Sequence, residues 1–179
     1  NSELTKTPLV AIPTTAGTGS EVTRFTVVTD SDTGEKSSYA GTGYVPVGAL
    51  VDFEFTLTCP PRLVGDTGID ALCHAMEAYV SRRANWFSDS VAVRALRAMG
   101  ANLRAAYAGD ATAREAMMLA ATQAGLAFSN SSVTLIHGTS RPLGSHFHVP
   151  HGLSNAMLAP TVTEFSVPYA RPRYADVAR

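Results

Sequence analysis

The chain has 179 residues, of which 45% are hydrophobic and 16% are charged, and its formal net charge is -1. This length suits one domain with a good core, or one domain with part of another. The small net charge and the lack of a basic block argue against nucleic acid and anionic membrane surfaces as partners. No apolar run approaches the length of a membrane span, and residues 1–6 have no apolar signal core.

The two cysteines, Cys59 and Cys73, do not form a disulfide framework. One lies beside two prolines and the other lies inside a predicted helix. A reducing compartment is the simpler interpretation, so we expect a cytoplasmic protein.

Strand signals are confined to the first part of the chain. Residues 8–15 form a continuous apolar run, which predicts a short strand buried on both faces. Residues 16–21 form a small-residue loop whose N–H groups could approach a phosphate, although an ordinary turn is the simpler interpretation. Further strands are predicted at residues 22–29, 36–40 and 49–52.

Helical periodicity replaces the strand signals after about residue 65. The change near residue 62 divides the chain into an α/β piece, residues 1–62, and an all-helical piece, residues 63–179. Helices are predicted at residues 65–81, 88–108, 111–128, 133–140 and 151–164, with one more opening near residue 169. Gly68 is expected at the start of the first of these helices, and Asp110 is the predicted cap of the third.

The helix at residues 65–81 carries three polar side chains on one face. Asp70 and His74 are four residues apart, and Glu77 follows three residues later. A carboxylate and an imidazole on a largely apolar helix need a partner, and a bound divalent metal is one answer. A hydrogen-bonded Asp–His pair or a solvated face is the simpler answer for this helix alone.

Four of the five histidines lie in residues 137–160, and the fifth is His74. Such a concentration is typical of a metal site whose ligands come from separate elements.

Three stretches, residues 11–23, 70–81 and 137–160, together resemble the iron-containing (group III) alcohol dehydrogenase family, and the similarity covers essentially the whole chain. The resemblance implies part of a Rossmann-like NAD-binding α/β domain, followed by an all-α metal-binding domain of the dehydroquinate synthase-like kind.

The resemblance places the metal ligands on Asp70, His74, His137 and His151, a set that suits Fe²⁺ or Zn²⁺. The implied activity is that of a metal-dependent, NAD(P)-linked alcohol dehydrogenase or aldehyde reductase acting on a small alcohol or aldehyde. The metal lowers the pKa of the alcohol, so that an alkoxide can form near neutral pH, and hydride passes from the carbinol carbon to nicotinamide.

Four residues match the family's cofactor-binding positions. Thr14, Thr15 and Thr18 match its cofactor-contacting loop, and Lys36 matches a further contact to NAD(P). Phe128 matches an aromatic residue that lines the pocket, although a core phenylalanine at a helix end is an equal interpretation.

Arg141 departs from the family pattern, because a histidine suspected of relaying protons usually stands at this position. Arginine does not deprotonate in proteins. Either proton exchange runs through water, His146 or His148, or Arg141 serves a substrate carboxylate or phosphate.

The family also places a glycine-rich phosphate loop before the position of Asn1, and more helices after Arg179. The chain therefore resembles the central half of the enzyme. We expect it to bind nicotinamide cofactor weakly or not at all, and to self-associate, most simply as a dimer, through an exposed apolar sheet face.

Two alternatives stay open at this stage. One is a relative of the same superfold, such as a glycerol dehydrogenase or a dehydroquinate synthase-like lyase. The other is a non-catalytic metal-binding remnant or assembly module.

Overall fold

The computed structural model describes residues 7–34 and 36–179, which form four short β-strands followed by six α-helices. The strands are β1 (Val10–Ala11), β2 (Phe25–Thr29), β3 (Lys36–Ala40) and β4 (Gly48–Ala49). The helices are α1 (Pro61–Val80), α2 (Trp86–Tyr107), α3 (Ala111–Asn130), α4 (Leu135–Phe147), α5 (His151–Ser166) and α6 (Arg171–Val177). An α/β piece thus precedes an all-helical part, which confirms the predicted fold class. The division at residue 62 stays a prediction. None of the described helices combines the length and the apolar character needed to cross a bilayer.

The strands form two separate pairs. β2 and β3 are antiparallel, with Phe25 opposite Ala40, and β1 runs parallel to β4. The prediction of a strand buried on both faces at residues 8–15 is wrong. β1 has two residues, and the side chains of Leu9, Val10 and Ile12 are about half exposed. Within the described residues β1 pairs only with β4, which leaves its other edge open.

Helix α1 begins earlier than predicted. Pro61 occupies its first turn, where a missing N–H costs nothing and the fixed φ is favourable. Gly68, expected at the helix start, lies inside the helix. A Cβ on Gly68 would lie 2.4 Å from Leu103 Cδ1, so this glycine permits the close approach of α1 and α2.

Two other helix boundaries differ from the prediction. The N-cap of α2 is Asn85, and Ser88 completes a reciprocal capping box with it. Helix α4 continues through Pro142 to Phe147, although a proline usually ends a helix and removes one backbone hydrogen bond. The predicted cap of α3 is confirmed, since the Asp110 side chain accepts a hydrogen bond from the Ala113 N–H.

Helix α1 lies at the centre of the helical part. One side packs against α2 and α3 through small and flexible side chains, among them Ala71, Ala75, Ala95, Met99, Ala106, Met117 and Ala124. The alanines let the helix axes approach closely. Helix α5 packs against α1 and α4. Helix α1 therefore presents side chains to several other helices at once.

The loop that contains Thr14–Thr18 is seated on the helices at two close approaches. A Cβ on Gly17 would lie 2.6 Å from Thr67 Cβ on α1, and a Cβ on Gly125 of α3 would lie 2.8 Å from Gly19 Cα. Gly19 has a left-handed φ of 62°, a conformation that favours glycine. Next to it, the Thr122 hydroxyl donates a 2.6 Å hydrogen bond to buried Glu21.

We expect Gly125→Ala to lower the free energy of unfolding by about 1–3 kcal/mol, because the new methyl group meets the backbone of Gly19. Gly100→Ala is the matched control, since no heavy atom lies within 4 Å of its added Cβ. Alanine there should stabilise α2 by about 0.5–1 kcal/mol. Urea unfolding curves measure both changes. Equal effects of the two substitutions would contradict the close approach of the loop to α3.

Candidate metal centre

The polar face of α1 is buried. Asp70, His74 and Glu77 are 2%, 6% and 1% exposed. The alternative of a solvated face is therefore wrong. Each of these groups needs partners from other elements, because burying a polar group without a hydrogen bond is costly.

Two histidines from other helices reach Asp70. His137, in the first turn of α4, places Nε2 3.3 Å from Asp70 Oδ1. His151, the first residue of α5, places Nε2 3.5 Å from the same oxygen. One donor atom from each residue lies within 4.8 Å of the other two. Three helices therefore bring one carboxylate and two imidazoles to a single point.

These distances fit a metal ion. Donor atoms around a tetrahedral metal with bonds of about 2.1 Å lie about 3.4 Å from one another. Both imidazole nitrogens lie at nearly this distance from the Asp70 oxygen. Carboxylate oxygen and imidazole nitrogen are also donors that Fe²⁺ and Zn²⁺ accept.

His74 lies beside this group. Its ring stacks on the ring of His137 with centroids 4.3 Å apart, and its Nδ1 lies 4.0 Å from Asp70 Oδ2. This nitrogen is buried and has no hydrogen-bond partner among the described residues. An unpaired buried nitrogen costs free energy, which a ligand bound by His74 would recover.

The electrostatics also favour a cation. Burial raises the pKa of Asp70, yet the imidazoles of His74, His137 and His151 outweigh burial and hold it well below its usual range. Burial lowers the pKa of His74 to about 4, so that its imidazole is neutral at neutral pH and keeps a lone pair. For His137, burial also lowers the pKa, but hydrogen bonds to Asp70 and Glu77 outweigh it and raise the pKa overall.

Two partners of the site received no role from the sequence. Glu77 Oε2 lies within hydrogen-bond distance of His137 Nδ1. Asn155 is fully buried on α5 and donates a 2.6 Å hydrogen bond to Asp70 Oδ1, and its amide nitrogen lies 3.1 Å from His137 Nε2. Helical spacing was the available signal, since Glu77 is seven residues after Asp70 and Asn155 is four after His151.

Phe128 belongs to the wall of the site. It is 9% exposed, packs in a core cluster with Ala78 and Tyr79, and stacks on His74 with ring centroids 4.3 Å apart. The two interpretations of this residue are therefore compatible, because the same ring is core on one side and covers His74 on the other.

Arg141 and the three threonines lie at the surface or close to it. Arg141 is exposed, one turn after His137 on α4, and forms no hydrogen bond or ion pair with the described residues. Thr14 and Thr18 are exposed and Thr15 is half-buried. The backbone of Lys36 pairs with Thr29, but its side chain lies outside the described part of the chain.

Two family models match the chain. The family model described as "Iron-containing alcohol dehydrogenase" matches residues 1–53, and the one described as "Fe-containing alcohol dehydrogenase family, C-terminal" matches residues 64–179. "Probable alcohol dehydrogenase EutG" of Escherichia coli is 45% identical over 174 residues, which cover 96% of this chain and 44% of the relative. The chain therefore spans less than half the length of that protein.

Solved structures of similar proteins superpose on the chain. A 1,3-propanediol oxidoreductase superposes with a TM-score of 0.93 at 39% identity, covering 96% of this chain and 45% of its own. A sulfoacetaldehyde reductase from Bifidobacterium kashiwanohense, solved in complex with NAD⁺, superposes with a TM-score of 0.84 at 36% identity, covering 89% of this chain and 43% of its own. The matches to both family models and the similarity to these proteins show that the chain belongs to the iron-containing alcohol dehydrogenase family of oxidoreductases.

Proposed function

We propose that this protein is a metal-dependent, NAD(P)-linked alcohol dehydrogenase or aldehyde reductase. Asp70, His74, His137 and His151 would hold Fe²⁺ or Zn²⁺. The observation that carries the proposal is the convergence of Asp70, His137 and His151 from three helices, with donor atoms within 4.8 Å of one another. When bound, the metal supplies Lewis acidity toward the substrate oxygen.

The surroundings of the site suit a small substrate. The rings of Phe128, His74 and His137 stack in that order, and they close one side of the site. The His151 side chain is 45% exposed, so the site is open at His151. A small alcohol or aldehyde would enter past His151, and the buried side would exclude water from the reacting carbon.

The cofactor would lie over the loop that holds Thr14, Thr15 and Thr18. Gly17 of this loop contacts α1 at Thr67, one turn before Asp70. The loop and the metal site therefore share one helix, an arrangement that can hold nicotinamide close to the substrate carbon. The similar sulfoacetaldehyde reductase was solved with NAD⁺, which supports a nicotinamide cofactor for this protein. Activity measured separately with NAD and with NADP decides between these two cofactors.

Arg141 would give the enzyme a preference for substrates with an anionic group. It is exposed on the turn after His137, and no described residue neutralises its charge. A family member whose name denotes an anionic aldehyde, the sulfoacetaldehyde reductase, supports the idea. We expect Arg141→His to lower kcat/KM for acidic aldehydes relative to neutral ones by about tenfold, the effect of one exposed ion pair strengthened by partial desolvation.

Arg104→His, near the end of α2, serves as the control for the Arg141 experiment, because it also replaces an arginine but lies on another helix. Parallel kcat/KM measurements on neutral and acidic aldehydes give the preference. An unchanged preference for acidic aldehydes in Arg141→His would show that Arg141 does not contact the substrate.

Metal analysis of purified protein, combined with NAD(P)-linked oxidation of a panel of small alcohols, tests the proposed function. We expect one Fe²⁺ or Zn²⁺ per chain, and turnover that disappears on chelation when residues 1–179 are joined to the glycine-rich phosphate loop of a full-length relative. Stoichiometric metal without turnover or cofactor binding would favour the non-catalytic metal-binding alternative instead.

Self-association stays a prediction. Large apolar side chains on and beside β1 and β4 are exposed, among them Leu9, Val10, Ile12, Val47 and Leu50. A second copy that covers this surface would remove it from water. Light scattering on the purified chain would detect the dimer, and a monomer at high concentration would contradict it.

A further inference from the structure

Glu77 is a buried carboxylate that lies outside the group of converging donor atoms. It is 1% exposed and sits on α1, two turns after Asp70. Its two oxygens have different partners, both at the start of α4. The residue therefore acts on the helix that carries His137.

One oxygen of Glu77 caps α4. Oε1 accepts hydrogen bonds from Thr134 Oγ1 at 2.7 Å, from the Ile136 N–H at 2.8 Å and from the His137 N–H at 3.4 Å. The first N–H groups of a helix lack partners within the helix. Thr134, the N-cap residue of α4, makes no side-chain cap hydrogen bond of its own. A carboxylate from α1 thus replaces the local cap.

The other oxygen of Glu77 determines which nitrogen of His137 carries hydrogen. Oε2 contacts His137 Nδ1, and an ionised carboxylate only accepts hydrogen bonds. Oε1 of the same group accepts hydrogen bonds from Thr134 Oγ1 and the Ile136 N–H, as an ionised carboxylate does. Nδ1 is therefore the donor. The lone pair of a neutral ring is left on Nε2, the atom that faces Asp70.

We propose that Glu77 is a positioning residue that holds His137 in the Nδ1–H tautomer, with Nε2 free to bind the metal, and fixes this ring to the start of α4. The inference rests on the proposed metal site. Metal affinity would then depend on Glu77, which does not touch the metal, in addition to the four proposed ligands.

Glu77→Gln separates the two tasks of the carboxylate. A glutamine has one oxygen, which can keep the three hydrogen bonds of the cap. Its NH₂ group then faces His137 Nδ1, which must accept a hydrogen bond, so that the ring hydrogen moves to Nε2. The cap of α4 is therefore kept, whereas the hydrogen on His137 Nε2 prevents this atom from binding the metal.

Competition with a chromophoric chelator for Zn²⁺ and Co²⁺ measures the effect. We expect Glu77→Gln to weaken metal binding by about 10–100-fold, with a urea unfolding midpoint close to that of the metal-free wild type. Glu115→Gln, at an exposed position of α3, is the matched control and should bind as the wild type does. Unchanged affinity in Glu77→Gln overturns the inference.

The tautomer can be observed without any variant at residue 77. Long-range ¹H–¹⁵N correlation spectra of the whole chain at alkaline pH, assigned to His137 with His137→Gln, should show hydrogen on Nδ1 in the metal-free wild type. Hydrogen on Nε2 would overturn the inference even if Glu77→Gln failed to fold. A wild type that takes up no Zn²⁺ overturns the proposed function, whereas tight wild-type binding with an unaffected Glu77→Gln overturns this inference alone.

Discussion

Replacing Asp70 by asparagine should abolish stoichiometric metal binding, with a loss of affinity larger than about 100-fold, the upper end of the effect of a residue that only supports a ligand. Asp70 Oδ1 lies within 3.5 Å of Nε2 of both His137 and His151, and its carboxylate supplies the only negative charge among the four proposed ligands. Asparagine keeps the shape and one oxygen but loses the charge.

The fold should survive Asp70→Asn. The oxygen of the new amide can still accept the hydrogen bond that Asn155 now donates to Asp70. The matched control is Asp66→Asn, one turn earlier on α1, where the carboxylate forms only a partly exposed pair with Arg62 at 3.7 Å. Elemental analysis after dialysis measures the metal, and circular dichroism measures the helix content. Full metal content in Asp70→Asn would show that Asp70 is not a metal ligand.

The second large effect is expected from Gly152→Ala. A Cβ on Gly152 would lie 2.2 Å from the carbonyl oxygen of Asp66 and 2.6 Å from its carbon. These are backbone atoms and cannot move aside as a flexible side chain can. Helix α5 must therefore shift away from α1, and His151, the preceding residue, shifts with it. We expect a loss of about 1–3 kcal/mol in the free energy of unfolding, together with weakened metal binding.

Gly138→Ala is the control for Gly152→Ala. Both glycines directly follow a proposed histidine ligand, but no heavy atom lies within 4 Å of a Cβ on Gly138. Urea unfolding and Zn²⁺ competition on both variants test the account. Metal binding that weakens equally in the two variants would show that α1 does not set the position of His151.

Local patterns in the sequence predicted the parts of the fold that depend on local physics. Helical periodicity and the Asp110 cap identified α3 well, and i, i+4 spacing placed Asp70 and His74 on one face. The strand at residues 8–15 was predicted too long and too buried. Apolar composition does not reveal how many neighbours a strand has.

The site itself was harder to predict, because it depends on contacts between distant residues. Glu77 meets His137 from 60 positions away, and Asn155 meets Asp70 from 85 positions away. Neither contact has a local pattern. The resemblance to a family supplied the ligand positions, but it gave no role to the residues that hold the ligands in place.

The proposed metal centre is tested most directly by X-ray absorption spectroscopy of the Zn²⁺-loaded protein. Cys73 lies on α1 near Asp70, but its sulfur is not among the donor atoms that converge there, and burial raises the pKa of its thiol to about 12. The account predicts a first shell of nitrogen and oxygen at about 2.0–2.2 Å with the multiple-scattering signature of imidazole. A sulfur neighbour at about 2.3 Å, or a shell without imidazole, would contradict it.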